Sequence, residues 1–183
     1  VVWSKINASG DSSLYLQISD GKFMRVDFIN PSVFRIRMND QNAFPEGGMV
    51  RYGIANTAYE GHQVNISEEK NTIELSTSET SLSIDKRNGR IKFYDAAGNI
   101  LIENDQSPTS GSERGFSLSF KLMDGERLYG TGDISRDEIQ KRGRRYQMFI
   151  KNVESYIPIP FMMSDRSWGL FMNTTMIHSW DAG

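Results

Sequence analysis

Apolar and polar residues alternate with a period of two along much of the chain. The apolar positions form short sets: Leu14, Leu16 and Ile18; Met24, Val26 and Phe28; Phe34, Ile36 and Met38; Ile73 and Leu75; Leu82 and Ile84; Phe116, Leu118, Phe120 and Leu122. Polar residues such as Arg25, Asp27 and Ser117 stand between them. This period is typical of strands with one face against a core and the other in water. The pattern predicts an all-β fold, an antiparallel β-sandwich.

Turn residues separate these alternating segments. Asn88-Gly89 lies between two of them and predicts a β-hairpin, because Asn-Gly accepts positive φ at both turn positions. Asn30-Pro31 is a similar signal. The polar stretches 39–61 and 104–114 are predicted to be irregular surface loops. The best helical candidate is the short polar segment 135–142, so helices contribute little to the predicted fold.

Length and charge narrow the class of protein. The chain has 183 residues, which suits one domain, and we predict a single β-sandwich domain over residues 1–183. With 21 basic and 23 acidic residues the net charge is −2, which argues against a nucleic-acid partner and against a strongly anionic membrane surface. The longest apolar stretch is interrupted by Pro158 and Pro160, so no membrane span is predicted.

Cysteine and histidine usage bears on cofactors and compartment. The chain contains no cysteine, which excludes disulfides and thiolate metal sites. Its two histidines, His62 and His178, lie far apart in sequence, so no metal or other cofactor is expected. The chain begins Val1-Val2-Trp3 without a signal-peptide pattern, and we expect that a leader was removed or that the chain was trimmed. The compartment is left open, with a secreted or periplasmic location favoured over a cytoplasmic one.

A series of motifs begins near residue 128. They are Tyr129-Gly130-Thr131-Gly132-Asp133, Arg142-Gly143-Arg144-Arg145-Tyr146, Pro160-Phe161-Met162-Met163-Ser164 and Trp168-Gly169-Leu170-Phe171. The first is predicted to form a tight bend after a strand. Neither a helix start nor a Lys-Ser/Thr pair follows its Gly-Thr-Gly, so a nucleotide site is not expected. The arginines of the second are predicted to be a solvated surface cluster rather than an anion site.

In this order and spacing, over residues 127–183, the motifs resemble the end of the N-terminal domain of family 31 glycoside hydrolases, the α-glucosidases and α-xylosidases. The resemblance implies a galactose-mutarotase-like β-sandwich that packs beside a catalytic (β/α)8 barrel beginning after residue 183. That barrel carries both catalytic aspartates in the family, and the N-terminal domain lends one loop to the rim of the substrate pocket. The implied partners are the barrel in the same protein and an α-linked glycoside substrate.

The resemblance also indicates substrate-binding candidates. Asn152 aligns where the family often has a substrate-contacting Asp, and a shifted alignment brings Glu154 to that position instead. Asn keeps hydrogen-bonding capacity but loses the charge. Asp133 stands where the family usually has Glu. Asn152 and Glu154 are therefore the candidates of a rim loop, and we predict that residues 151–155 form an exposed loop.

No catalytic residue is predicted. Glycoside hydrolysis needs two carboxyl groups placed across the scissile bond. The acids of the second half of the chain fall in turns or polar segments and are predicted to be solvated: Asp124, Glu126, Asp137, Glu138 and Asp165. Asp181 is expected to have a structural role. The chain alone is therefore not expected to cleave glycosides.

Two other functions stay open. A stand-alone aldose 1-epimerase needs an acid and a base poised near neutral pH, commonly His and Glu, but no partner motif surrounds either histidine. A stand-alone carbohydrate-binding sandwich would stack sugar rings on exposed aromatic residues such as Tyr52, Tyr59 or Trp168, although core or rim packing is the simpler role for each. A barrel pattern downstream of residue 183 would favour the hydrolase domain.

Overall fold

The structure is a computed structural model that describes residues 3–9, 13–18, 21–57, 63–106, 108–111, 115–134, 138–149 and 157–183. For residues 3–9, 109–111 and 115–116 it describes the backbone alone. The chain divides into two compact units. Unit 1 comprises Val1–Pro45 and Asn56–Lys121, and unit 2 comprises Glu46–Ala55 and Leu122–Gly183. Whether the whole chain acts as a single domain stays a prediction.

Unit 1 contains two antiparallel sheets and a short ribbon. The first sheet has the order β1–β2–β3–β4, formed by β1 (Trp3–Ser9), β2 (Ser13–Ile18), β3 (Phe23–Asn30) and β4 (Val33–Asn39). The second has the order β12–β9–β8–β7–β6–β5, formed by β5 (Asn65–Glu68), β6 (Thr72–Ser76), β7 (Thr80–Asp85), β8 (Ile91–Asp95), β9 (Ile100–Asn104) and β12 (Phe120–Lys121). The ribbon pairs β10 (Thr109–Gly111) with β11 (Gly115–Ser117).

The predicted apolar faces form the core of unit 1. Fully buried side chains come from both sheets: Leu14, Leu16, Met24, Val26, Ile73, Leu75, Leu82, Ile84 and Ile91. The sheets meet where the rings of Phe34 and Phe93 stack with centroids 4.9 Å apart. The hydroxyls of Thr77 and Thr80 donate to the carbonyl oxygen of Pro31, which joins a turn of one sheet to a turn of the other. The predicted antiparallel β-sandwich is confirmed.

The hairpin predicted at Asn88-Gly89 is confirmed, with a different turn. It joins β7 to β8 through a loop in which Gly89 has φ 67°. Asn88 keeps negative φ, and its side-chain oxygen accepts the N–H of Arg90 at 2.9 Å. The prediction of positive φ at both positions is therefore wrong for Asn88, because a loop longer than two residues relieves that demand.

Polar positions of unit 1 are less solvated than the alternation predicts. Asp27 is 3% exposed and accepts hydrogen bonds from Ser13 Oγ at 2.7 Å and Arg37 Nη2 at 2.8 Å. Arg25 and Arg35 also pair with it. Burial acts to raise the pKa of Asp27, but the Ser13 hydroxyl and the charges of Arg37 and Arg25 outweigh burial and hold it below its ordinary value.

The predicted loop 104–114 is wrong at its start. Asn104 ends β9, is 2% exposed and accepts the N–H of Ile91 at 2.5 Å. The segment also contains β10. The alternation over residues 117–122 is confirmed, with Ser117 and Ser119 exposed and Leu118 and Phe120 half-buried. The side chain of Phe116 lies outside the described part.

Unit 2 is built from shorter pieces. A sheet of order β13–β15–β16 is formed by β13 (Leu128–Asp133), β15 (Ile157–Ser164) and β16 (Gly169–Phe171). A ribbon pairs β14 (Arg145–Met148) with β17 (His178–Asp181). The core comprises Leu128, Tyr146, Met148, Met162, Trp180 and Ala182.

Helix is scarce and lies elsewhere than predicted. The helix α1 (Gly48–Arg51) falls within the predicted loop 39–61. A Cβ at Gly48 would come within 2.8 Å of Thr175 Cγ2, so α1 packs closely against that residue. The described residues 138–142 of the helical candidate are not helical, because Lys141 donates its backbone N–H to Leu128 O. In the described residues, no helix has the length and apolar character needed to cross a membrane.

Candidate functional site

The motif Tyr129 to Asp133 lies within strand β13 and ends it, and the predicted bend after a strand is wrong. The register between β13 and β15 shifts between Gly130, opposite Met162, and Gly132, opposite Pro158, so this β-bulge has its extra residues in β15. Gly130, Thr131 and Gly132 all have positive φ, of 115°, 66° and 71°. A β-branched residue rarely adopts this conformation. Thr131 is fully buried, and its hydroxyl donates to Gly130 O at 2.6 Å.

Close approach of β15 explains both glycines of the motif. A Cβ at Gly130 would overlap the carbonyl oxygen of Phe161. A Cβ at Gly132 would overlap the carbonyl oxygen of Ile157 and lie 2.7 Å from Ile159 N. The bulge therefore holds β13 tightly against β15, and Asp133 ends directly opposite Ile157, where β15 begins.

Glu126 is a buried carboxylate, so its prediction as a solvated turn acid is wrong. It is 2% exposed and accepts hydrogen bonds from Met123 N and from Trp168 Nε1, both at 2.7 Å. Ser164 Oγ donates to the same carboxylate. The guanidinium of Arg142 binds the carbonyl oxygens of Met123 and Glu126 rather than the carboxylate. Glu126 thus ties its own turn to both sides of the turn that joins β15 to β16.

The other acids of unit 2 are engaged by neighbours or face solvent. Asp165 accepts the backbone N–H of Arg127 at 3.0 Å, Glu138 pairs with Arg144 at 2.5 Å, and Asp181 pairs with Arg145 at 2.9 Å. Asp124 is exposed, and Asp137 lies outside the described residues. The solvated arginine cluster is confirmed for Arg144 and Arg145, which are exposed, whereas Arg142 is half-buried.

The ribbon of β14 and β17 has a buried face and a polar face. Tyr146 and Trp180 lie directly opposite each other and are buried. Burial raises the pKa of the Tyr146 hydroxyl, and the charge of Glu138 adds to the effect, so the phenol stays neutral. On the other face, Arg145, Gln147, Ser179 and Asp181 border an open cavity of about 420 Å³.

The histidine candidates offer no acid–base pair in the described residues. His178 lies on β17, and its Nδ1 is 2.9 Å from the carbonyl oxygen of Met176, which fixes the proton on Nδ1. His62 lies outside the described residues. No group of three His, Asp or Glu side chains that could hold a metal ion occurs in the described part of the chain.

The predicted rim residues Asn152 and Glu154, with the whole segment 151–155, also lie outside the described residues. Of the aromatic candidates for sugar stacking, Tyr52 is 76% exposed and Tyr59 is not described. Trp168 packs against the core of unit 2 and donates to Glu126, so its ring has a structural role.

Sequence reasoning missed the exposed apolar residues of unit 2. Among the described residues, unit 1 exposes two large apolar side chains, Val33 and Ile100. Unit 2 exposes eleven: Tyr52, Ile54, Met123, Ile139, Phe149, Ile157, Ile159, Met163, Phe171, Met176 and Ile177. Apolar residues at 157, 159, 161 and 163 follow a period of two, which could have indicated part of this set. Pro158 and Pro160 lie between them, so the segment was interpreted as an interrupted apolar stretch.

Comparison with known proteins identifies relatives over most of the chain. A family model described as the glycosyl hydrolase 31 N-terminal galactose mutarotase-like domain matches residues 23–181. An isomaltosyltransferase from Sporosarcina globispora is 23% identical, and the match covers 83% of this chain and 14% of that protein.

Solved structures show the same fold. A dextranase of glycoside hydrolase family 31 from Flavobacterium johnsoniae, solved with isomaltotriose, matches 100% of this chain and 23% of its own, with a TM-score of 0.80 at 17% identity. An α-xylosidase of that family from a soil metagenome, solved with xylose, matches 96% of this chain and 29% of its own, with a TM-score of 0.78 at 19% identity. The chain therefore spans less than a third of the length of each of these relatives.

Proposed function

The chain belongs to the N-terminal galactose mutarotase-like domain family of glycosyl hydrolase 31, and from this premise we propose that it is the non-catalytic accessory domain of a longer α-glycoside hydrolase. In that protein it packs against a catalytic (β/α)8 barrel and lends a loop to the rim of the substrate pocket. The substrate of the whole protein is an α-linked glycoside.

The contrast in exposed apolar residues carries this proposal. Unit 1 shows that the chain can bury its apolar side chains, with two large ones left exposed among the described residues, whereas unit 2 leaves eleven. Exposed apolar surface costs about 25 cal/mol per Å² relative to burial, and contiguous patches of it mark interaction surfaces. A neighbouring domain that covers unit 2 accounts for the difference.

The positions of the acids support a non-catalytic role. Catalysis of glycoside hydrolysis needs one carboxylic acid and one carboxylate facing the same sugar. The buried acid of unit 2, Glu126, has its carboxylate filled by donors from Met123, Ser164 and Trp168. Asp165 and Asp181 are engaged in local contacts. These acids hold structure, and the catalytic pair belongs to the barrel in this proposal.

The rim contact rests on Asn152 and Glu154. The segment that contains them precedes β15, and β15 begins opposite Asp133, the last residue of the bulged motif. Because β13 and β15 contact each other closely, they provide a rigid support for a loop that contacts a substrate. Glu154 would accept hydrogen bonds from sugar hydroxyls, and Asn152 would both accept and donate.

Activity measurements test this function. The purified 183-residue chain is expected to show no turnover of aryl α-glucosides or aryl α-xylosides, and the protein that continues its reading frame is expected to hydrolyse one of them. Turnover by the chain alone, abolished by replacing one carboxylate, would refute the proposal.

The rim loop has its own test in the longer protein. Glu154→Gln is expected to lower kcat/KM about tenfold, the equivalent of about 1.4 kcal/mol for one hydrogen bond to a charged group. Asn65→Ala, at an exposed position of unit 1, is the control and should leave kcat/KM unchanged. Unchanged kcat/KM for Glu154→Gln and Asn152→Ala together would remove the rim contact from the proposal.

A further inference from the structure

The ribbon of β14 and β17 carries four polar side chains on one face. Arg145 lies directly opposite Asp181, and Gln147 lies directly opposite Ser179. All four residues are exposed, and they border the open cavity of about 420 Å³. Sites for small molecules have volumes of about 300–1,000 Å³, so the cavity is large enough for one. These four residues are called the ribbon site below.

The ribbon site has a fixed support. Tyr146 and Trp180 alternate with its residues along the strands and are buried in the core of unit 2. The pairing continues beyond the ends of β14 and β17, where Gly143 N donates to Ala182 O at 3.1 Å and Ala182 N donates to Arg144 O at 2.8 Å. Side chains on paired strands whose other face is packed keep their spacing, which recognition of a ligand requires.

The charges of the ribbon site cancel. Arg145 Nε lies 2.9 Å from Asp181 Oδ2, and the two side chains are 84% and 56% exposed. An anion attracted by the guanidinium would be repelled by the carboxylate beside it. A single carboxylate offers too few ligands for a metal ion, and no group of three His, Asp or Glu side chains occurs in the described residues. The ribbon site therefore suits a neutral ligand.

The hydrogen-bonding groups of the ribbon site match a ligand with several hydroxyls. Arg145 only donates and ionised Asp181 only accepts, whereas Gln147 and Ser179 do both. A hydroxyl also donates and accepts, so a series of hydroxyls can satisfy this mixture of groups. An apolar ligand would displace water from the same groups without replacing its hydrogen bonds.

The spacing of the ribbon site favours a cyclic ligand. Neighbouring strands lie about 5 Å apart, and side chains two residues apart on one strand are separated by about 7 Å. The four side chains therefore start from the corners of a rectangle on the scale of one sugar ring with its hydroxyls. A ring holds its hydroxyls in fixed directions, so it loses less conformational freedom on binding than an open-chain polyol does.

We propose that the ribbon site binds a saccharide, so that the 183-residue chain binds sugar without a catalytic domain. The ligand is a neutral sugar that presents ring hydroxyls, such as a glucose unit of an α-linked oligosaccharide. This inference goes beyond the proposed function, whose only sugar contact is a rim loop outside the described residues. The choice of an α-linked sugar rests on the proposed function, whereas the hydrogen-bonding argument does not.

Titration of the 183-residue chain with a sugar tests the inference. Isomaltotriose, an α-linked glucose trisaccharide, is the probe, and two-dimensional NMR of the backbone amides locates where it binds. The amides of β14 and β17 should shift with a Kd of about 1 mM, as expected for an open site with a few hydrogen bonds. The amides of β6 and β7 in unit 1 should not shift. A lack of saturable shifts in β14 and β17 at concentrations far above that Kd would overturn the inference.

A matched pair of arginines provides the genetic test. Arg145→Ala should raise the Kd at least about tenfold, because the ribbon site loses a charged hydrogen-bond donor. Arg87→Ala is the control: it removes a similarly exposed arginine from an ion pair with Asp85 in unit 1, and it should leave the Kd unchanged. Both arginines are exposed, so both variants should keep the amide spectrum of the folded chain. Equal Kd values for the two variants would contradict binding at the ribbon site.

An anion is the competing ligand. Saturable shifts of the same amides with sodium sulfate, and displacement of the sugar by it, would assign the ribbon site to anions and overturn the inference. The two proposals fail separately. If the longer protein hydrolyses α-glycosides while the 183-residue chain binds no sugar, the ribbon site is wrong and the accessory function stands. If the chain binds sugar through Arg145 but the longer protein has no such activity, the proposed function fails and the ribbon site stands.

Discussion

Unit 1 and unit 2 use the same antiparallel strands but complete their surfaces differently. In unit 1, residues such as Leu75 and Leu82 are fully buried between two sheets, and the described part exposes two large apolar side chains. Unit 2 has a core of six buried residues and exposes eleven large apolar side chains in its described part. The first unit has the surface expected of a finished sandwich, and the second leaves exposed the apolar side chains that the proposed neighbouring domain would cover.

Backbone conformation separates the units as well. In unit 1, Gly89 and Gly98 adopt positive φ in the turns of hairpins, where it is common. In unit 2, Gly130, Thr131 and Gly132 adopt it inside a strand. Strain of this kind persists where surrounding structure enforces it and is concentrated at functional positions. The comparison teaches that the unusual backbone geometry lies in the unit whose sequence is less regular.

The largest expected effect sharpens the contrast in backbone geometry. Gly132→Ala should destabilise the chain by more than about 4 kcal/mol, because its Cβ would overlap the backbone of β15 at a residue with φ 71°. Gly53→Ala is the matched control, with the same φ of 71° and no atom within 4 Å of the new Cβ. It should cost about 1–2 kcal/mol, the penalty of the left-handed conformation alone. Urea unfolding measures both, and equal losses would show that β15 does not constrain the bulge.

The next effect tests the buried charge of unit 1. Asp27→Asn should cost about 3–5 kcal/mol, because it leaves the arginines around a buried position without their shared carboxylate. Asp85→Asn, at a half-buried acid whose partner Arg87 is exposed, should cost less, about 1–2 kcal/mol. Urea unfolding at neutral pH compares the two. A similar, small loss for both would mean that the Asp27 cluster is no stronger than a surface pair.

The same acids give unit 1 a defined pH dependence. The pKa of Asp27 is lowered in the folded chain, and the hydrogen bond from Arg87 lowers the pKa of Asp85 to about 2. A lowered pKa means that stabilisation is complete above the unfolded value of 3.8 and is lost as the pH falls through the folded value. The free energy of unfolding should therefore decrease as the pH is lowered below about 4. Asp27→Asn should make that decrease smaller.

A third comparison measures the loss of stability when a buried and an exposed apolar side chain are each shortened to alanine. Leu75→Ala should destabilise the 183-residue chain by about 2–5 kcal/mol, because it opens a cavity in the core of unit 1. Ile157→Ala, at a side chain 62% exposed in unit 2, should change stability by less than about 0.5 kcal/mol. Thermal and urea unfolding of the two variants report the difference. A large loss for Ile157→Ala in the isolated chain would mean that the exposed side chain of Ile157 already packs within it.

The smallest of these effects concerns the buried acid of unit 2. Glu126→Gln should cost about 1–3 kcal/mol, because one carboxylate oxygen becomes an amide donor that faces either the N–H of Met123 or the donors of Trp168 and Ser164. Asp124→Asn, at an exposed acid nearby, should stay within about 0.5 kcal/mol. A double-mutant cycle with Trp168→Phe should show non-additivity, and strictly additive losses would contradict the bond between Glu126 and Trp168.

The sequence pattern predicted unit 1 better than unit 2 for physical reasons. Leu82 and Phe93 stand in period-two runs whose burial depends on local alternation, so their faces were predictable. Glu126 follows a turn glycine, and its burial depends on Trp168, which lies 42 residues away. The motif around Thr131 was predicted to bend because it contains two glycines and an acid, and the pattern gave no sign of positive φ at a β-branched residue inside a strand, which is rare. The candidate site residues Asn152 and Glu154 therefore stay a prediction from motif resemblance, while the geometry of unit 2 depends on long-range contacts that a pattern does not contain.

Hydrogen exchange tests most directly whether unit 2 is completed by another domain. The measurement compares amide exchange in the 183-residue chain with exchange in the protein that continues its reading frame. The account predicts slower exchange in the longer protein for β15 and β16, with unchanged exchange for β6 and β7 of unit 1. Identical exchange of β15 and β16 in the two proteins, or slowing confined to unit 1, would contradict it.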